Sequence, residues 1–312
     1  MPNISVDVPP DISVIITSYN SREALAQSLA ALARLEFRRY SCEVIVVDDA
    51  SWDGSPALVA EQYPWVTLLA NPRNVGYARS CNRGIAAAQG RFVHLLNNDT
   101  QIQPDTLDIL AAFLEAHPEA GAAGSLLLYE DGTTQVSAKA LPSIRSAFFG
   151  GRSWISRWWP DNRFSRAELQ HWRADDGQPF TTGYASFASM MTWRALIDEI
   201  GAVDEKFFNF TDADFCKRVW DAGRSVYCVP AAKTMHLNHR GGSRRDLRRR
   251  IELLFDFHCC AYRYSRKHSR QPFWHPVQLL VLSALGARLA ITSTLQLGKE
   301  LLGTERSAYG DR

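Results

Sequence analysis

The chain is short of the features that assign a protein at a glance, and each shortage excludes something. Its formal net charge is only +2, too small by itself to mark a nucleic-acid binder. Its six cysteines (Cys42, Cys81, Cys216, Cys228, Cys259 and Cys260) show no CxxC spacing and no disulfide-scaffold density, which fits a reducing compartment. Met1 to Pro10 contains neither a basic nor an apolar segment, so no signal peptide is expected. No internal repeat or low-complexity tract is visible. The longest apolar stretch, Val277 to Leu297, is interrupted by Gln278, Arg288 and several hydroxyl residues. A spanning helix needs about 20 mostly apolar residues, so this stretch reads as an amphipathic or buried helix. What is plentiful is apolar residue, at 46% of 312, enough for a sizeable core in one large α/β domain or one domain with an appendage.

The hydrophobic pattern alternates strand and helix. Ile12 to Thr17 reads as a strand and Arg22 to Arg34 as a helix with Ser21 before it. Glu43 to Val47 is the next strand, followed by a helix over Pro56 to Gln62, a short strand at Val66 to Leu69 and a helix at Val75 to Gln89. Phe92 to Leu96 is a strand, Pro104 to His117 a helix and Ala122 to Tyr129 a strand. This order implies parallel βαβ units. Between Ala140 and Pro179 the pattern dissolves into aromatics and charges. It resumes with a strand at Tyr184 to Trp193, helices at Arg194 to Ile200 and Asp212 to Ala222, and a strand at Ser225 to Val229. The first half is doubly wound, the second completes a mixed sheet, and residues beyond about Arg244 form a helical appendage.

Two of the apolar strands run into acids. Phe92-Val93-His94-Leu95-Leu96 precedes Asn97-Asn98-Asp99, and Val44-Ile45-Val46-Val47 precedes Asp48-Asp49. Ligands of open α/β sheets bind outside the carboxyl ends of the strands, so these acids predict one polar site built across neighbouring strand ends. Asn71 to Gly84 opens a helix with small residues and amides. Gly76 and Ala78 let that helix start lie close to a ligand, and its free N–H groups suit a phosphate. The segment is not GxGxxG, so a dinucleotide fold is not indicated.

Taken in order, these segments resemble family 2 glycosyltransferases, inverting enzymes of the GT-A fold, and most of all the rhamnosyltransferase-type members. The likeness is carried by Thr17-Ser18-Tyr19-Asn20, Val46 to Ser55, Asn71 to Gly84, Leu95 to Thr100, Gly201 to Phe208, Thr211 to Phe215 and Pro230 to His236. It implies an α/β chain of GT-A type, a Rossmann-like, mostly parallel mixed sheet flanked by helices with a C-terminal helical appendage. The expected division is a catalytic domain over residues 1–243, with a variable acceptor-side insert at 140–180, and a helical region over 244–312.

The resemblance also implies roles. Asp48 contacts the pyrimidine base, where an acceptor for the ring N–H selects uracil or thymine; Asp49 is its neighbour in the donor site. Thr17, Tyr19, Asn20, Asn74, Gly76, Asn82, Asn98 and Gly183 complete the nucleotide and donor set. Asp99 matches the last residue of the DXD-type motif, and His236, with His239 as a nearby competitor, matches a family histidine that completes the metal shell or touches the phosphate. The first carboxylate of that motif is an amide here, Asn97. Mg²⁺ or Mn²⁺ suits such oxygen ligands, and the cation offsets charge on the leaving diphosphate. Asp212 aligns with the catalytic base, which must take the acceptor proton on the face opposite the nucleotide. Asp214 either holds the acceptor or caps the helix. Trp154, Trp158 and Trp159 are acceptor candidates through stacking on sugar rings, with a small hydrophobic cluster as the alternative.

The resulting expectation is a metal-dependent inverting hexosyltransferase. It moves a sugar, L-rhamnose from dTDP-rhamnose or another dTDP- or UDP-sugar, to a glycan or lipid-linked acceptor in cell-surface polysaccharide assembly. Alternatives are a catalytically silent nucleotide-sugar-binding scaffold and a sugar-1-phosphate nucleotidyltransferase, although Ser18 to Arg22 is not the latter's Gly-rich loop. No nucleic-acid partner is expected. The Arg240 to Arg250 run with Val277 to Leu297 predicts a cytoplasmic enzyme, peripheral on the inner face of the plasma membrane, with a solvated helix face as the alternative reading of the arginine run.

Overall fold

A computed structural model of the chain describes residues 9–35, 39–143, 158–159, 163–237, 247–269 and 271–301. They fall into two compact units, Met1–Lys206 with Thr211–His239, and Phe207–Phe210 with Arg240–Arg312.

In the first unit the strands are β1 (Ile12–Ser18), β2 (Cys42–Asp48), β3 (Val66–Ala70), β4 (Phe92–Asn97), β5 (Thr100–Ile102), β6 (Ala120–Leu128), β7 (Ala138–Lys139), β8 (Phe180–Thr181), β9 (Tyr184–Ala185), β10 (Ser189–Trp193) and β11 (Ser225–His236). Its helices are α1 (Arg22–Ala33), α2 (Ser55–Gln62), α3 (Tyr77–Ala87), α4 (Thr106–Ala116), α5 (Arg163–Glu168), α6 (Arg194–Ile200) and α7 (Thr211–Asp221). The main sheet runs β3-β2-β1-β4-β10-β6-β11-β5, with β8 also paired to β11, and β7 pairs β9 in a separate ribbon. The β3-β2-β1-β4 half is parallel, while β10 is antiparallel to both β4 and β6.

Side-chain alternation along β1 explains the layers. Ile12, Val14 and Ile16 pack with Leu25, Leu29 and Leu32 of α1 and with Leu107, Leu110 and Leu114 of α4. Ile15 faces the other way, with Ala78, Cys81 and Ile85 of α3 and Phe215 and Val219 of α7. Each such aliphatic chain, once buried, contributes about 1.5–3 kcal/mol, so both faces hold the strand ends in fixed register.

Three elements depart from the sequence expectation. Helix α3 starts at Tyr77, because Gly76 takes a φ of 90° and the preceding loop is fastened elsewhere. The run Tyr184 to Trp193 is two strands: Ser186 to Ala188 turns between them, with the Ser189 N–H donating to the Ser186 carbonyl at 3.3 Å. The last strand does not stop at Pro230. It continues to His236 through a register shift between Val229 and Lys233, and such a bulge is where a sheet tolerates a proline without an N–H.

In the second unit α8 (Leu247–His268) packs on α9 (Pro276–Leu301). The Phe210 ring lies 5.2 Å from Phe257 and 5.9 Å from Tyr264. Of the two readings that the sequence left for α9, amphipathic or buried, the buried one does not hold. Pro276–Gly298 is long and apolar enough to cross a membrane, and only 17% of it is buried.

Candidate active site

Parallel register brings the predicted donor residues to one edge. Ser18 of β1 lies opposite Asp48 of β2, and Thr17 lies opposite Asn97 of β4. Asp48 is buried; its Oδ2 accepts the Ser51 N–H at 2.9 Å, and its Oδ1 has no partner among the described residues. A buried carboxylate oxygen left without a donor is costly, so this one is built for a donor that arrives with a ligand. The strap around it is strained. Asn20 and Ala50 sit at φ 48° and 65°, outside glycine's usual monopoly of that region. Asn20 donates its N–H to Ser51 Oγ at 2.9 Å, and its Oδ1 accepts the Trp52 N–H at 3.0 Å. Thr17 is half-buried beside them and Tyr19 is exposed.

Asp49 plays a different part from Asp48. Its carboxylate accepts the Val75 and Gly76 N–H groups, each at 2.9 Å, and the Asn71 side-chain amide at 2.8 Å. Both oxygens are thus engaged in pinning the loop ahead of α3. A Cβ on Gly76 would meet nothing within 4 Å, so the space over this helix start is open, and Asn74 is exposed beside it. Asn82 reaches away to clamp the Val203 peptide, donating to its carbonyl at 2.8 Å and accepting its N–H at 2.9 Å.

The edge continues through Asp99 and His236. Strand β5 pairs with the end of β11, setting His236 opposite Thr100, and the Leu237 N–H donates to the Asp99 carbonyl at 2.9 Å. That fastening brings His236 Nε2 within 3.2 Å of Asp99 Oδ1. Asn98 donates to Ser18 Oγ at 3.3 Å, tying the β4 end back to β1. Among the described residues no three His, Cys, Asp or Glu side chains converge, and at this strand edge they offer a cation the Asp99–His236 pair. One nitrogen and one carboxylate fit Mg²⁺ or Mn²⁺ held jointly with substrate phosphates and water, the usual mode for Mg²⁺.

Asp212 stands in the first turn of α7, partly buried. Burial raises its carboxyl above the usual range, opposed by the Lys139 ammonium and the Ala213 N–H, which donates to Oδ1 at 2.8 Å. Tyr77, at the start of α3, feels the Asp212 charge, so the base candidate and that helix start share a locality. Asp214 is fully buried. It pairs with Arg218 at 3.1 Å, and Arg218 also donates to the carbonyls of Ile200, Gly201 and Ala202. This fits a structural tie between α7 and the turn after α6. The close approach that Gly183 allows is by the chain itself, since a Cβ there would stand 2.1 Å from the Leu141 nitrogen. Trp158 and Trp159 are exposed, and Trp154 lies outside the described residues.

The sequence model described as Glycosyl transferase family 2 matches residues 13–191, more than half the chain and all of the parallel strand edge. The chain is a family 2 glycosyltransferase.

Among its relatives is the N-acetylglucosaminyl-diphospho-decaprenol L-rhamnosyltransferase of Mycobacterium tuberculosis, 29% identical over 237 residues, covering 72% of this chain and 75% of the relative. The succinoglycan biosynthesis protein ExoO of Rhizobium meliloti is 39% identical over 105 residues, 33% of this chain and 29% of that one. In fold, the glycosyltransferase is similar to the mannosyltransferase PcManGT of Pyrobaculum calidifontis, solved with GDP-Man and Mn²⁺. The TM-score is 0.57 at 18% identity, covering 96% of this chain and 80% of that one. It is also similar to S. aureus TarS 1-349, with a TM-score of 0.53 at 16% identity, covering 88% and 70% of the two chains. The mixed, mostly parallel sheet is that of the GT-A glycosyltransferases. Two further residues stand at the glycosyltransferase site, of which Ser51 lies within a segment that carries the family likeness and Lys139 carried no sequence signal. Lys139 enters from a two-residue strand in a stretch without periodicity, and Ser51 contributes through its backbone N–H and a hydroxyl.

Proposed function

We propose that this glycosyltransferase carries a hexosyl group from a dTDP- or UDP-sugar to a hydroxyl of a glycan or lipid-linked acceptor, with inversion at the anomeric carbon. L-rhamnose from dTDP-rhamnose is the donor favoured by the likeness to the mycobacterial rhamnosyltransferase. The observation that carries the reading is the unpartnered, buried Oδ1 of Asp48 on the same strand edge as the Asp99–His236 pair. A pyrimidine ring N–H at position 3 supplies the donor that Oδ1 lacks. Cytosine has an acceptor at that ring position, so this contact favours uracil or thymine over cytosine.

The transfer balances without a covalent enzyme intermediate. The acceptor O–H proton passes to the Asp212 carboxylate as its oxygen bonds to the anomeric carbon. The bond from that carbon to the diphosphate oxygen breaks, and the nucleoside diphosphate leaves with the electron pair. Partial burial strengthens Asp212 as a base, while Lys139 keeps it ionised. A divalent cation held by Asp99 and His236 would offset charge on the departing diphosphate. Thermal shifts with dTDP, UDP, GDP and CMP, each with Mn²⁺ or EDTA, test the site. A metal-dependent rise with dTDP or UDP is expected. A preference for GDP would overturn the pyrimidine reading of Asp48, no shift with any nucleotide would overturn the donor site, and a shift without turnover of any donor would favour the silent scaffold.

The second part of the proposal concerns place. Helix α9 buries Val281 and Leu285 and yet leaves a second row of apolar side chains exposed. Gln278 is 2% exposed against the rest of its unit, while Leu279, Leu280, Leu282, Ile291 and Leu295 are each about half exposed. Phe273 and Trp274, just before it, are 59% and 64% exposed, and Trp is the amphipathic ring enriched at a bilayer interface. Residues 240–312 hold 14 Lys and Arg against 6 Asp and Glu, whereas the whole chain is +2. An anionic lipid surface satisfies both the charge and the apolar face, and places the enzyme peripherally on the cytoplasmic leaflet. Flotation with vesicles containing 30% phosphatidylglycerol is expected, with release by carbonate. Failure to float removes the contact, and retention in carbonate replaces it with a spanning helix.

A further inference from the structure

Gln135 is buried at 6% exposure, and both ends of its side-chain amide meet one residue. After β6 the chain turns through Tyr129 to Thr133 and returns alongside it, with the Gln135 N–H donating to the Leu127 carbonyl at 2.8 Å. The side chain then spans to His236. Its Nε2 donates to the His236 carbonyl at 2.7 Å, and its Oε1 lies 3.0 Å from His236 Nδ1.

The carbonyl fixes which way the amide points, because a flipped amide would set two oxygens against each other at 2.7 Å. With Oε1 held as an acceptor, Nδ1 must carry the hydrogen. In the neutral imidazole the other nitrogen, Nε2, is then a bare lone pair, and it faces Asp99 Oδ1 at 3.2 Å. Two acceptors at that separation repel unless a positive charge lies between them. A divalent cation held by both groups would supply that charge, as would a second proton on the imidazole, and ¹⁵N-histidine NMR at pH 8 separates the two.

We propose that Gln135 is a positioning residue for the divalent cation. It fixes His236 in the Nδ1–H tautomer and aims Nε2 at the ion beside Asp99. The inference rests on the metal reading of the Asp99–His236 pair and assigns to that pair an outer partner that no motif announced. Outer partners of ligating histidines typically carry 10- to 100-fold in metal affinity. Their effect is on the ion and not on the base of the nucleotide.

The test is Mn²⁺ titration by loss of the free-ion EPR signal in the presence of UDP, with UDP affinity in EDTA measured separately. Gln135→Leu is expected to weaken Mn²⁺ about 10- to 100-fold and leave UDP affinity in EDTA unchanged. Gln135→Glu, which keeps the acceptor for Nδ1–H but sets a second oxygen against the His236 carbonyl, is expected to bind Mn²⁺ more tightly than Gln135→Leu. Equal Mn²⁺ affinity in parent and Gln135→Leu would overturn the role of Gln135 alone. No Mn²⁺ binding by the parent would overturn the metal reading itself. A measurement on the parent avoids any folding defect: ¹⁵N-histidine NMR at pH 8 is expected to show His236 protonated at Nδ1, and protonation at Nε2 would overturn the proposal.

Discussion

Replacing Asp48 by Asn separates base recognition from every other role at the donor edge. The parent carboxylate gives Oδ2 to the Ser51 N–H at 2.9 Å and holds Oδ1 for the ligand. An amide has one acceptor, so satisfying Ser51 turns its NH₂ toward the position-3 N–H of uracil or thymine, donor against donor. A hydrogen bond to a charged group is worth about 1.5–3 kcal/mol, so UDP and dTDP should bind about 10- to 150-fold more weakly. Cytosine carries an acceptor at that ring position, so CDP should lose less or gain. The free enzyme keeps its Ser51 contact and sheds a buried charge, so its melting temperature should hold or rise. Calorimetric titration of UDP and CDP with Mn²⁺ on both proteins reads all three quantities. A folded variant that binds UDP as tightly as the parent, with no change in the CDP to UDP ratio, would refute the reasoning.

Two further perturbations follow from ionisation. Burial raises the Asp212 carboxyl and Lys139 opposes that rise, so kcat/KM should fall on acidification through a limb above 3.8. Lys139→Met should move the limb to still higher pH; a limb that stays or moves down would remove Lys139 from the base's surroundings. His94, fully buried in β4, is held neutral, with its ionisation pushed down to about 3 from 6.5. As pH falls below 6.5 the unfolded chain takes the proton first, so this group's contribution to stability declines from there down to about 3. The loss at pH 5 relative to pH 8 is about 2 kcal/mol. Urea unfolding of His94→Leu should show a correspondingly shallower decline, and an unchanged one would contradict the assignment.

Much of the donor edge was legible because its chemistry follows the strand ends. Asp48, Asn98 and Asp99 stand directly after apolar runs, and parallel register then brings the first strand's Thr17 and Ser18 alongside. What the sequence could not show was the division of labour between adjacent acids. Asp48 and Asp49 look alike on paper, yet one keeps an open oxygen while the other is consumed by Asn71, Val75 and Gly76. Asp212 and Asp214 divide in the same way, through an arginine four residues on. Pro230 hid the second half of β11, and with it the pairing that places His236, because a bulge depends on the partner strand. Gln135 and Lys139 come from short, aperiodic segments whose position is set by long-range pairing. For helix α9 the sequence left amphipathic and buried open, because which side chains face inward depends on packing: Gln278 is buried while Leu279 and Leu280 are exposed.

The central claim is that Asp212 takes the acceptor proton in a single displacement. Single-turnover transfer by Asp212→Asn, beside nucleotide affinity measured on the same preparation, tests it most directly. The account predicts transfer reduced by about 10²- to 10⁴-fold or more with nucleotide affinity unchanged. Transfer at the parent rate would contradict it.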